Sequence, residues 1–287
     1  MKIKITSKCD RGKVRLENED AFIACTNLEQ QVWTDVSTND FEPLGDCGAL
    51  LVVADGVGGA NAGEIASEIA IKQTKRCFAL DEVKKTMEEQ SFENLMAQAI
   101  LEADNAIVEA SLKDMATKGM GTTIVMAWVI GEKAYVAWCG DSRCYIYNPR
   151  KGLRRISKDH SLVQELIDKG ELTEENAVMH PDSNVITRGL GDLDTDNEPE
   201  TITFDIIPGD MLLLCSDGLC GYCTDKAILR QLNRHSTNLD TCVEHLYDMA
   251  MKQGGLDNIT IALLSIIDDN ANRPPNPPFW KRILGWM

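Results

Sequence analysis

Five aspartates share one kind of setting in this 287-residue chain. Asp55 ends the apolar run Ala49-Leu50-Leu51-Val52-Val53-Ala54 and is followed by Gly56, Gly58 and Gly59. Asp217 ends Leu212-Leu213-Leu214-Cys215-Ser216 and precedes Gly218. Asp257 follows Gly254-Gly255-Leu256, Asp141 sits in Gly140-Asp141-Ser142-Arg143, and Asp20 closes Glu17-Asn18-Glu19-Asp20. Branched apolar runs are buried strands. The carboxylates therefore stand at strand ends, several beside glycines that let a ligand approach the backbone. Taken singly, each reads as a turn residue. Taken together they describe a cluster, because strand ends of packed sheets can converge on one edge. Clustered carboxylates repel unless cations lie between them. Hard oxygen ligands suit Mg²⁺ or Mn²⁺ rather than zinc. Two such ions sharing a water would lower its pKa and aim a hydroxide at an electrophile, for which a phosphate ester is the natural choice. Arg15, five residues before Asp20, offers a bidentate fork for the phosphate charge.

The elements that must position these residues follow from periodicity. Strands are expected at residues 2–6, 21–25 and 49–54, with a polar loop from Cys9 to Asp20. Residues 26–47 read as a long hairpin or surface excursion. Helices follow at 62–80 and 91–117, the second with Leu95, Ala99, Ala103, Ile107 and Ala110 at helical spacing. The charged stretch 81–90 reads as their link. Strands return at 122–129, 134–138 and 144–147 as a meander, so the helix pair is inserted between blocks of strands. Residues 160–199 break the rhythm with a short helix at 161–169, a second start at Thr173 and a loop at His180-Pro181-Asp182-Ser183-Asn184. Strands at 201–207 and 211–216, helices at 224–234 and 239–253 and a last strand at 258–267 complete the domain. No internal repeat of fixed period is present.

Composition bounds the partners. With 29 basic and 45 acidic residues the formal net charge is -16, which argues against a nucleic-acid backbone or an anionic membrane as main partner. The N-terminus is too short and polar for a signal peptide, and no apolar run is long enough to span a bilayer. Ten cysteines without a secretion signal point to a cytoplasmic chain with free, mostly buried thiols. Cys220 and Cys223 form a C-x-x-C that lacks the second pair a structural zinc site wants. Asp192, Asp194 and Asp196 start like a calcium loop, but Asn197 replaces its glycine and Thr203 its final glutamate. His160 and His180 are candidate acids, against the plainer reading that they order the flanking loop. The serines lack the elbow and paired histidine of a serine hydrolase. From residue 269 a Pro-rich linker leads to Phe279-Trp280-Lys281-Arg282-Ile283-Leu284-Gly285-Trp286-Met287. That peptide could dock on a partner, on a membrane surface or back on its own domain.

The quoted stretches belong to a longer ordered series. It begins with Arg15 to Ala21, then Val53 to Gly59, Gly63-Glu64 with Ala66-Ser67, Met120-Gly121-Thr122-Thr123, and Gly140 to Arg143. It continues with Asp159-His160-Ser161, His180-Pro181 with Asn184, Ile186 to Gly191, Pro208-Gly209-Asp210, Ser216 to Leu219, and Asp257 to Thr260. In these motifs the chain resembles the metal-dependent serine/threonine protein phosphatases of type 2C (PPM-type), in their bacterial form, over roughly residues 5–266. The resemblance implies an α+β fold, a four-layer α-β-β-α sandwich of two antiparallel sheets flanked by helix pairs. It implies a catalytic domain at residues 1–268 and a linker and tail at 269–287. Two Mn²⁺ or Mg²⁺ ions are implied: Asp55 bridges them, the Gly56 carbonyl binds one, and Asp217 and Asp257 bind the other. The Glu19-Asp20 pair supports the site directly or through water, and Asp141 helps hold a third ion. Arg15 grips the substrate phosphate, and 160–190 form a mobile flap.

The implied reaction is single-step hydrolysis of phosphoserine or phosphothreonine in proteins, opposing a Ser/Thr kinase. The implied partners are phosphorylated proteins, the enzyme being a monomer without nucleic acid. The chain departs from some relatives at Val57, which replaces a histidine assigned as general acid, and at Ala60, where bacterial members often carry a histidine. Residues 27–46 form a longer insertion than expected. No metal ligand is lost, so an active enzyme is expected. The alternative is a non-catalytic module that binds phosphoproteins or partners on the same fold.

Overall fold

A computed structural model describes residues 1–57, 62–177, 180–191 and 195–268. Gly58, Gly59 and Ala60, the calcium-like Asp192 and Asp194, and the tail at 269–287 lie outside the described residues. The chain opens with β1 (Lys2–Asp10) and β2 (Asp20–Cys25), two short strands β3 (Trp33–Thr34) and β4 (Glu42–Pro43), and β5 (Ala49–Val57). Helices α1 (Ala62–Cys77), α2 (Leu80–Glu89) and α3 (Phe92–Ser111) come next. A meander follows: β6 (Gly121–Ile130), β7 (Lys133–Cys139), β8 (Arg143–Asn148) and β9 (Gly152–Arg155). The irregular stretch carries α4 (Leu162–Asp168), α5 (Glu174–Ala177) and β10 (Leu190–Gly191). Then come β11 (Glu200–Asp205), β12 (Met211–Cys215), α6 (Asp217–Cys220), α7 (Asp225–His235), α8 (Leu239–Lys252) and β13 (Ile259–Ile267).

One sheet runs β4-β1-β13-β12-β8-β9, the other β11-β7-β6-β5-β2-β3 with β10 added to β6. Their ladders are antiparallel. Ile5, Val53, Val125, Leu214 and Leu264 lie in the core between the sheets. The second sheet packs its outer face on α1 and α3 through Leu50, Val52, Ala66, Ala99 and Ile107. The first packs on α6, α7 and α8 through Leu213, Leu219, Ile228, Leu246 and Ile261. The result is the expected four-layer α-β-β-α sandwich. It also explains why the run before Asp55 is continuously apolar. Residues alternate between the two faces of a strand, and both faces of β5 are buried, one against helices and one against the other sheet.

The structure corrects several element boundaries. The charged stretch 81–90 is helix α2, not a link. Only Val83 and Thr86 are buried on it, too thin a stripe to stand out, and Gln90 closes it with φ 55. The expected helix 91–117 stops at Ser111 and gives way to a 3₁₀ turn at Met115–Thr117. β1 continues through Cys9 and Asp10, where a loop was expected, because its whole length pairs with β13. The excursion at 26–47 covers sheet edges. β3 borders β2 and β4 borders β1, while Ile5 N–H donates to Thr38 Oγ1 (3.0 Å) and Ser7 N–H to Ser37 Oγ (2.9 Å). All ten cysteines are free, and nine, including Cys220 and Cys223, are buried.

Trp128 locks this excursion to the core. Its ring is fully buried and stands edge-on to Phe78, and its Nε1–H donates to Cys47 O at 2.9 Å. Trp128→Phe keeps an aromatic ring but strands that carbonyl. A loss of about 1–3 kcal/mol is expected in urea unfolding, the cost of one buried unsatisfied polar group.

Candidate functional site

Asp55 is held by pairing on both sides. Across the β2–β5 ladder it faces Asp20, and across β5–β6 it faces Thr123. Thr122 Oγ1 donates to the Asp55 carbonyl at 2.8 Å, and Thr123 Oγ1 pairs with Ser142 Oγ at 2.8 Å, beside Asp141. Gly56 N–H donates to Glu19 O at 3.2 Å. A side chain at Gly56 is excluded, because a Cβ would lie 2.4 Å from Gly63 O and 2.6 Å from Glu19 O.

The other sheet supplies Asp217 and Asp257. Asp217 is the first residue of α6, directly after β12, and Asp257 precedes β13, the strand paired with β12. Gly218 makes this neighbourhood feasible, since a Cβ there would sit 1.8 Å from Asn258 O. Arg15 Nη2 donates to Asp257 Oδ2 at 2.7 Å and leaves its other donors free for a ligand. A cleft of about 340 Å³ is lined by Arg15, Glu19, Asp55, Gly56, Asp141, Asp217 and Asp257, with Val57, Ser183, Asn184, Ile186, Tyr222 and Leu256. Six of the seven residues singled out in the sequence thus share one cleft. Asp20 does not line it. It lies behind Asp55, with Oδ2 accepting from Ser216 Oγ at 2.7 Å.

The protein's own cations compensate these acids only in part: Arg15 pairs with Asp257, and Arg15 and Arg143 act on Asp217. Burial raises Asp20 from 3.8 to about 7, opposed by hydrogen bonds from Ser216 and Thr260 and aided by the charge of Asp217. Burial and the charge of Asp257 raise Asp217 to about 6, against a hydrogen bond with Asp55. Asp55 and Asp141 are pushed well above the ordinary range, first by burial and then by neighbouring aspartates. Asp20 Oδ1 is buried without any hydrogen-bond partner. An orphaned carboxylate oxygen and a hydrogen-bonded carboxyl pair are what a missing positive charge leaves behind, so the donor set fits hard divalent cations. As placed, no three acidic, histidine or cysteine side chains among the described residues close round a single ion. Mg²⁺ typically takes one or two carboxylates and several waters, which this arrangement can supply.

The stretch after β9 leans over the cleft. Ser183, Asn184 and Ile186 reach the wall, whereas His160 and His180 do not. His160 Nδ1 accepts from Gly140 N–H at 3.1 Å, and its ring stacks on Trp138. His180 Nδ1 accepts from Asp182 N–H at 3.2 Å. The histidines order the loop.

Residues 6–259 match the family model Protein phosphatase 2C. The chain belongs to that family. It is 33% identical to Serine/threonine phosphatase stp of Listeria monocytogenes, over 90% of this chain and 93% of that one. The crystal structure of Serine/threonine phosphatase Stp1 from Staphylococcus aureus superposes with a TM-score of 0.77 at 32% identity, covering 92% of this chain and 95% of that one. The catalytic domain of the phosphatase PstP in complex with two manganese ions superposes with a TM-score of 0.73 at 27% identity, covering 93% and 99%.

Two residues that carry the site had no role assigned from sequence. Ser216 donates to Asp20 while its Oγ accepts Thr260 N–H at 3.0 Å, joining one sheet to the other. Asn258 Oδ1 accepts Glu19 N–H at 2.8 Å, and its Nδ2 donates to Arg11 O and Glu17 O, fastening the loop that carries Arg15. Both stand in the matching stretches, next to Asp217 and Asp257, and adjacency was the only available signal.

Asp20 titrates near 7 when folded and near 3.8 otherwise, so between those values the folded protein holds the extra proton. Without divalent metal, stability should therefore fall as pH rises from about 4 to about 7. Asp20→Asn should flatten that slope, and Mn²⁺ should oppose it. Urea midpoints across this range, with and without chelator, check both; an unchanged slope in the variant would assign it to other groups.

Proposed function

We propose that the protein hydrolyses phosphoserine and phosphothreonine in proteins with two Mn²⁺ or Mg²⁺ ions at the cleft, and that its substrates are phosphoproteins made by a Ser/Thr kinase. The convergence of Asp55, Asp141, Asp217 and Asp257 with Arg15 in one cleft carries this reading. Two ions, when bound, would lower the pKa of the attacking water and neutralise phosphate charge. On this reading Asp55 would be shared by the two ions, the Gly56 carbonyl would hold one, and Asp217 and Asp257 would hold the other. Asp20 acts from behind by holding the Asp55 side of the site, and Asp141 serves a third ion. The complex of PstP with two manganese ions supports metal dependence.

The protein's own residues supply the rest. Arg15 is half-exposed at the rim, anchored on Asp257 through one nitrogen. Its remaining donors meet the phosphate oxygens and hold phosphorus over the carboxylates. Thr122 and Thr123 fix the strand carrying Asp55, so the attacking oxygen and the phosphate approach in a set geometry. No cysteine nucleophile takes part. Among the described residues no helix is long and apolar enough to cross a membrane. The reading takes the enzyme as a monomer acting in the cytoplasm.

Hydrolysis of p-nitrophenyl phosphate should require Mn²⁺ or Mg²⁺ and vanish on chelation. Asp55→Asn should lower kcat by about 10²–10³-fold or more, the scale of losing one main electrostatic contributor. Turnover that survives both treatments would sink the two-metal reading, and no turnover with either metal present would favour a module that binds phosphoproteins without hydrolysing them.

A further inference from the structure

Attack at phosphorus is half of the reaction. A seryl or threonyl alkoxide is too basic to leave unaided and needs a proton as its bond to phosphorus breaks. On the reading above the cleft's aspartates are given over to the ions and Arg15 to the phosphate, and few other groups there can give one. Val57 carries none. His160 and His180 line neither this cleft nor the adjoining one of about 150 Å³ beneath the flanking loop. The Thr123 hydroxyl is engaged with Ser142. Ser183 reaches the wall, but an aliphatic hydroxyl is a much weaker acid than a phenol.

Tyr222 stands apart from these. It lines the main cleft beside Asp217 and Asp257, and also lines the adjoining one beside Asp141 and Ser183, so it sits at their junction. Its position follows from α6: the helix that starts on Asp217 ends at Cys220, and Gly221 turns the chain so that buried Cys223 follows half-buried Tyr222. Among the described residues its hydroxyl has no hydrogen-bond partner, and its ring makes no aromatic pair. Burial favours its neutral form, and a phenol keeps its proton at neutral pH in any case, so the donor form is the one a substrate meets.

We propose that Tyr222 is the general acid that protonates the leaving seryl or threonyl oxygen, an inference that rests on the phosphatase reading above. The oxygen of the attacking water bonds to phosphorus as the bond from phosphorus to the side-chain oxygen breaks. The electron pair of the broken bond stays on that oxygen, which takes the phenol proton. Water has released one proton to solvent, and the phenolate recovers one from solvent. One water is consumed, and the free hydroxyl side chain and inorganic phosphate are formed.

The test compares leaving groups in the full chain with Mn²⁺. A nitrophenolate departs without a proton, whereas a phosphoseryl peptide needs one. In Tyr222→Phe the loss of kcat on the peptide should exceed the loss on p-nitrophenyl phosphate by about 10²-fold, the usual scale of general-acid catalysis. Tyr222→His, which restores a donor, should recover part of that difference. A series of substituted phenyl phosphates should show a steeper dependence on leaving-group basicity in the phenylalanine variant than in the unaltered protein. Equal losses on both substrates, no loss on either, or an already steep dependence in the unaltered protein would each overturn the assignment, the last two in favour of a proton from water. An unaltered protein inactive on both substrates would overturn the phosphatase reading itself, and this inference with it.

Discussion

Like charges brought together out of water set the terms for this molecule. Asp20, Asp55, Asp141 and Asp217 are all held above the ordinary carboxylate range, and in each case burial is the main cause and a neighbouring aspartate contributes. Left to itself such a cluster would open or stay protonated. It persists because its members sit at the ends of strands whose ladders and cores are stabilised elsewhere. β5 is paired along its length and buried on both faces, so Asp55 has little freedom to move away. The arrangement stores an unfavourable interaction that a divalent cation relieves, which makes the site selective for charge before any substrate arrives.

Holding the cluster requires the two sheets to meet at one end of the sandwich. Ser216 and Asn258, both on the β12–β13 side, reach across to Asp20 and to the loop before β2. Two glycines permit the approach: Gly56 lies against the backbone of Glu19 and Gly63, and Gly218 lies against Asn258. Any side chain at either position would wedge the sheets or the loop apart. The Arg15 loop is therefore a dependent of the sandwich, tied down by Asn258 and by the ion pair with Asp257. On the proposed reading Asp257 would serve both phosphate recognition, through its ion pair with Arg15, and metal binding, which would couple the two mechanically.

Much of this was readable from residue order. The strand that carries Asp55, the strand of the other sheet that leads to Asp217, and the helices after β5 all carry strong local signals, because branched apolar runs and 3.6-residue spacing report burial directly. Where the signal was thin, the reading failed. α2 buries only Val83 and Thr86 and was hidden by its charge. β9 has no fully buried residue, and α6 is a single turn. The excursion at 26–47 was recognised as polar, but its work of covering both sheet edges depends on pairing with β1 and β2, which lie in different sheets. His160 and His180 were chemically eligible as acids, yet only packing turns their Nδ1 atoms toward backbone amides.

The opening cluster divides along the same line. Residue type and spacing were enough to say that these aspartates end strands, that their ligands would be hard cations and that Arg15 was available for a phosphate. These are local properties, settled by which side chains neighbour one another along the chain. Sequence could not rank the acids by place. The fold puts Asp55, Asp141, Asp217 and Asp257 on one wall and Asp20 behind it, and it brings Tyr222 rather than a histidine to the rim. Those outcomes come from the register of β2 on β5 and from the crossing of two sheets, which are fixed by pairings between residues as much as about 240 positions apart.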